Sequence, residues 1–168
     1  MSKLHQARWD ERAGAAVNAR RELPHLAASY FVQVRALLAN DPAPTKLHRV
    51  RLLTKRLRYT LELFRSCYGP GLETRLTALH RIQQSLGEVN DSTAAGRLLS
   101  KSMSTTSPQR TRVLHFLEER AAVKAQEFRK DWAEVFDAPG QESWWTTYLA
   151  RHARTPGRRA EDARSRRS

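Results

Sequence analysis

Apolar positions recur three and four residues apart along most of this chain, the spacing that lines one face of an α-helix. In LHRVRLLTKRLRYTLELF, residues 47–64, and again at Leu72, Leu76, Leu79, Ile82, Gln83 and Leu86, the spacing keeps one face largely apolar. Glycine and proline cluster at a few places instead of recurring at the short intervals of a β-sandwich. The pattern predicts an all-α fold, an antiparallel bundle of long helices. A first helical region is expected over about residues 3–39, interrupted near Pro24, whose ring cannot donate to the preceding turn. NDPAPT then breaks it, and a second helix runs from Thr45 to the GPG at 69–71. A third is expected over 72–100, with Gly87 and Asn90 as points of kinking. Ser107 and Pro108 supply an N-cap and first position for a fourth, which runs to about Phe136. After DAPG, ESWWTTYLARHA forms a short amphipathic helix that lays Trp144, Trp145 and Tyr148 over the bundle end as core cover. The expected organisation is one helical domain over 1–150 and a disordered basic tail over 151–168, ending in RTPGRRAEDARSRRS with almost no apolar content.

Within the second helix the charges are sorted. At about 100° per residue, Val50, Leu53, Leu57, Leu61 and Phe64 share one arc of roughly 80°, the core face. His48, Arg51, Lys55, Arg58 and Glu62 share another, centred nearly opposite, with Arg49 and Arg56 together on a flank. Like charges at this spacing cost a few tenths of a kcal/mol per pair, and only Glu62 relieves them. A row of cations about 5 Å apart suits a chain of phosphates, and His48 is placed to donate to phosphate when protonated. An ordinary solvated face fits the angles as well.

Composition narrows the choice. Thirty Lys and Arg against 17 Asp and Glu give a net charge of +13, which calls for an acidic partner. A single cysteine, Cys67, allows no internal disulfide and reads as a small apolar filler in a reducing compartment. Six dispersed histidines without a cysteine cluster argue against a metal site, and no cofactor is implied. No apolar run is long enough for a membrane span, and the start, MSKLHQARWDERAG, lacks the apolar core of a secretory signal, so a cytoplasmic protein is expected.

The signature helix resembles that of the CHAD domain family (conserved histidine α-helical domain): a histidine followed by basic residues at +3, +7, +8 and +10, here His48, Arg51, Lys55, Arg56 and Arg58. IQQSLGEVNDSTAAGRLL, residues 82–99, is similar to the family's next segment, a Leu-Gly pair followed by Asn-Asp. The resemblance covers roughly residues 16–146, to the tryptophan segment EFRKDWAEVFDAPGQESWW. It implies a helical bundle that binds inorganic polyphosphate through these cations, with Arg49 and Arg65 as auxiliary candidates and a possible place on polyphosphate granules. Asn90 and Asp91 take structural roles, orienting the basic helix or capping a turn, and Asp91 is a candidate partner for one of the arginines. Family members usually carry two such repeats about a pseudo-twofold axis, whereas this chain has one signature helix, most similar to the second repeat. A homodimer that restores the pair is therefore expected.

The implied activity is binding without catalysis, since neither a phosphate-cradling glycine loop nor paired carboxylates accompany the basic helix. Nucleic acid is the first alternative, favoured by charge and by the arginine-rich tail, although only Tyr59 offers an aromatic near the basic face, and packing beside Leu52 and Leu63 is its expected role. A protein-interaction scaffold is the second.

Overall fold

The computed structural model describes residues 7–39, 43–102 and 107–155. They form five α-helices: α1 (Ala15–Leu38), α2 (Pro44–Leu63), α3 (Pro70–Ser102), α4 (Pro108–Asp131) and α5 (Gln141–Arg151). A 3₁₀ turn, Arg65–Cys67, links α2 to α3, and a π-helical turn, Trp132–Phe136, follows α4. No strand occurs among the described residues, and the all-α bundle expected from the pattern is the fold. Pairs of residues far apart in sequence set the direction of packing. His48 meets Asn90 and Arg58 meets Gln83, so α2 and α3 run antiparallel; Arg81 meets Asp131 and Arg120 meets Glu88, so α3 and α4 do too.

The core collects Leu23, Tyr30 and Phe31 of α1, Val50, Leu57 and Leu61 of α2, and Leu72, Leu79 and Ile82 of α3. Phe31, Trp132, Phe136 and Trp145 close it at one end, with Trp132 and Phe136 stacked at 5.4 Å. The π-helical turn places those last two rings in register four residues apart. Inside the core the Tyr30 hydroxyl lies 3.0 Å from Thr54 Oγ1, which itself donates to the Val50 carbonyl at 2.9 Å. The polar pair is satisfied, and burial pushes the Tyr30 phenol well above its ordinary pKa.

Two boundaries differ from the sequence expectation. Helix α1 passes through Pro24 without interruption, because the buried residues on either side, Leu23, Leu26 and Ala27, hold the helix against a loss of about 3 kcal/mol. It also begins only at Ala15, after an extended Gly14. Residues ahead of it form a cap: Asn18 Nδ2 donates to the carbonyls of Asp10 and Ala13, and the Glu22 carboxylate accepts from the Arg8 amide and from Arg21 Nε. Residues 3–6 of the expected first helix lie outside the described residues. Helix α3 likewise continues through Gly87 and Asn90. Ser107 and Pro108 take their expected places, with Ser107 Oγ accepting from the Arg110 amide.

Helix α5 is fastened to α3 by a cation between rings. The Arg75 side chain is 1% exposed, its guanidinium 3.4 Å from the Trp144 ring centre and 3.7 Å from that of Tyr148. Burial pulls its pKa down to about 10, still high enough to keep it cationic at neutral pH, and Nη1 donates to the Gly71 carbonyl at 2.9 Å. No carboxylate among the described residues pairs with it, so the aromatic faces supply the attraction. Trp145 is buried and Tyr148 half-buried, as expected for core cover, whereas Trp144 is half exposed over the guanidinium. The chain beyond α5 turns back: the Arg154 amide donates to the Cys67 carbonyl at 2.7 Å, and Arg20 to the carbonyl of Ala153. Cys67 is buried. Residues 156–168, most of the expected tail, lie outside the described residues.

Tyr148 reaches the core because residue 71 has no side chain: a Cβ there would stand 2.8 Å from Tyr148 Cε2. Gly71→Ala is expected to cost about 1–3 kcal/mol through overpacking, read as a lower urea midpoint with the slope unchanged. An unaltered midpoint would contradict the close seating of this ring.

Candidate functional site

Helix α2 buries Leu47, Val50, Thr54, Leu57 and Leu61. Its packed face is thus turned slightly from the expected one: Thr54 enters the core to meet Tyr30, and Leu53 and Phe64 remain partly buried at the edge. That rotation brings one side of the cationic row against α3. His48 Nδ1 lies 2.8 Å from Asn90 Oδ1. Arg58 Nε donates to Gln83 Oε1 at 2.9 Å, and its guanidinium also pairs with Glu62, which leaves the side chain only 14% exposed. Between them Arg51 crosses α3 at Gly87, where an added Cβ would be 3.9 Å from Arg51 Nε. Room for the guanidinium therefore depends on residue 87 having no long side chain.

The cations form a seam between two helices. Arg51 Nε is buried and has no hydrogen-bond partner among the described residues, as is also true of Arg75 and Arg110 Nε. Lys55 and Arg58 flank the Tyr59 ring at 5.5 and 4.5 Å. Tyr59, expected to pack beside Leu52 and Leu63, is exposed, as they are, because the core lies on the other side of the helix. Arg56 and Arg49 are exposed on the flank, and neither makes an ion pair with another described residue. Arg65 is not part of the row: both oxygens of Glu73 accept from it, at 2.6 and 2.7 Å, and this pairing holds its pKa above the ordinary arginine value.

Asn90, one of the two residues expected to orient the basic helix, does contact His48. Asp91 is exposed, its recorded partner being the neighbouring Asn90 amide at 3.4 Å, and it joins no arginine among the described residues. Next to His48 a recess of about 190 Å³ is lined by Thr45, His48, Asn90, Thr93 and Arg97. Helix α2 starts there with Pro44 in its first turn and no side-chain cap, so the positive end of its dipole adds to the cations. Arg97 extends the row onto α3 and escaped the sequence reading, which confined the site to one helix. The signal was present: Gln83, Gly87, Asn90, Ala94 and Arg97 are spaced four, three, four and three apart, one stripe of α3.

Among the described residues no group of three or more His, Cys, Asp or Glu side chains is placed to hold a metal ion, and no helix is long and apolar enough to cross a membrane. What the seam can do chemically is donate: guanidinium, ammonium, imidazole and amide groups face one strip, with Glu62 as its acid.

Residues 2–100 match the family model of the CHAD domain. The match takes in α1, α2 and nearly all of α3, hence the whole seam, and it starts and stops earlier than the 16–146 expected from the motifs. No curated protein and no solved structure matches the chain. With more than half of its 168 residues inside that model, and with the histidine-led basic helix packed on the Leu-Gly and Asn-Asp segment, the chain belongs to the CHAD domain family.

Proposed function

We propose that the α2–α3 seam binds inorganic polyphosphate, without catalysis, through His48, Arg51, Lys55, Arg56 and Arg58, with Arg49 and Arg97 at its margins. Arg65, engaged by Glu73, is left out. The CHAD domain is linked to polyphosphate and triphosphate binding. The observation that carries the reading is the row itself: His48, Arg51, Lys55 and Arg58, each about one helical turn from the next, with His48 and Arg58 held against α3. Successive phosphates along the seam offset the repulsion between neighbouring cations. Asn90 is a positioning residue that holds the His48 ring toward the strip. Because the contacts are mostly charge to charge, affinity falls steeply with salt, by analogy with nucleic-acid backbones. The same reading puts the protein in the cytoplasm, on polyphosphate granules.

Nucleic acid is the second reading, and the exposed Tyr59 between Lys55 and Arg58 favours it, since an open ring flanked by cations is a stacking platform for a base. Polyphosphate has no base to place there.

Replacing Arg51 and Arg58 together by Ala is expected to weaken polyphosphate binding at least about a hundredfold, from two charge-assisted hydrogen bonds of about 1.5–3 kcal/mol each, with the circular-dichroism spectrum unchanged. Unchanged affinity in titration calorimetry would move the site elsewhere. Tyr59→Ala, and separately deletion of residues 155–168, should leave polyphosphate affinity within about a factor of three and cost RNA or DNA more. Equal large losses for both ligands would contradict a seam that reads phosphate alone.

A further inference from the structure

Helix α3 outruns its neighbours. Its 33 residues extend about 50 Å against about 30 Å for the 20 of α2. Among the described residues none of α3 after Ser92 is buried, and none of α4 before Phe128. Between the last turns of α3, the facing stretch of α4 and the first turn of α2 lies a groove of about 740 Å³. Leu47, Val89, Leu114, Leu117, Ala121 and Ala125 give it an apolar lining. Along α3 it reaches from Val89 to Lys101, about 18 Å, room for an extended dodecyl chain. Small-molecule sites occupy about 300–1,000 Å³ and set a few polar groups in mostly apolar walls, and the groove has both properties.

The charges around it are mostly of one sign. Arg97, Lys101 and Arg129 meet a single carboxylate, Glu118, so the lining is net positive and complements an acidic ligand. Arg97 and Lys101 make no ion pair with another described residue. The groove also adjoins the recess of about 190 Å³ beside His48, since Pro44, Val89, Thr93 and Arg97 line both. Across that shared ridge the surroundings change from aliphatic to donor-rich, with Thr45, His48 and Arg97 around the recess. One molecule that satisfies both is apolar along its length and acidic at one end. We propose that the groove takes the hydrocarbon tail of a single-chain amphiphile whose phosphate head sits in the recess against Arg97 and His48. A phosphate offers several acceptor oxygens, enough for guanidinium, imidazole and hydroxyl donors together. An acidic amphipathic helix suits the charge of the groove, but at about 10 Å across it does not enter a recess of this size. At its phosphate end the inference rests on the proposed reading of the seam, to which the groove adds a tail.

Titration calorimetry of the full chain with octyl, decyl and dodecyl phosphate, each below its micellar range, tests it. One molecule is expected to bind per chain, and each added methylene to tighten binding by up to about fourfold. Leu117→Asp, in the groove, should weaken dodecyl phosphate at least about tenfold and leave long-chain polyphosphate within about a factor of three. Should that variant fail to fold, Ala122→Trp decides, since residue 122 is exposed and a large side chain there fills the groove. Arg97→Ala should weaken all three alkyl phosphates about tenfold or more, through loss of a charge-assisted hydrogen bond, with the dependence on chain length kept. Affinity independent of chain length, several molecules bound per chain, or dodecyl phosphate binding indifferent to Ala122→Trp would overturn the proposal. A chain that binds polyphosphate but no alkyl phosphate would overturn the groove alone. One that binds dodecyl phosphate with this length dependence and no polyphosphate would support the groove and overturn the reading of the seam.

Discussion

Cations a helical turn apart on α2 repel one another, and that helix must still bury its opposite face. The structure reconciles the two demands by rotating α2 so that part of the row lies against α3 without entering the core. Polar and small residues of α3 receive it: Gln83 accepts from Arg58, Gly87 leaves space for Arg51, and Asn90 fixes the ring of His48. Thr54 follows the rotation inward and is satisfied by Tyr30 and by the Val50 carbonyl. The row is consequently ordered before any ligand arrives, which removes part of the side-chain entropy that binding otherwise costs. Neutralisation is incomplete, since Arg51 retains an unpartnered donor and Glu62 takes up only one arginine.

A cation buried in the fold, Arg75, is handled by different chemistry. Arg75 meets ring faces and carbonyls, with no ligand-accessible strip beside it, and its role is to clamp α5 onto α3. Basic residues in this chain thus divide by surroundings. Arg75, between the Trp144 and Tyr148 rings, holds the bundle together, an exposed pair such as Arg65–Glu73 contributes little, and the α2–α3 seam gathers the cations proposed to meet an external anion.

Much of this was legible in the sequence because period and punctuation agreed. The helix pattern, the Ser107-Pro108 start and the placement of Trp145 follow from local chemistry that packing left alone. Pro24 was misleading because a single lost hydrogen bond is outweighed by apolar contacts on both sides, which a local rule does not count. The start of α1 was misplaced because Asn18 and Glu22 hold the preceding segment by hydrogen bonds, and such contacts leave no periodic trace. For the site, the α2 cations were visible from their angles, while the fate of each depended on α3. Arg58 and His48 are held there, Arg65 is diverted to Glu73, and Arg97 joins from a helix read only for its apolar face. Tyr59 was assigned to packing because its neighbours Leu52 and Leu63 are apolar, yet the rotation of α2 leaves all three facing water.

The claim most exposed to test is that a linear array of phosphates, and not a base-bearing polymer, fits the seam. A competition titration at fixed ionic strength, with long-chain polyphosphate against duplex DNA and RNA at equal phosphate concentration, measures it directly. The account predicts that polyphosphate displaces both nucleic acids. Displacement of bound polyphosphate by DNA or RNA would contradict it and would assign the seam, with the open Tyr59 ring, to nucleic acid.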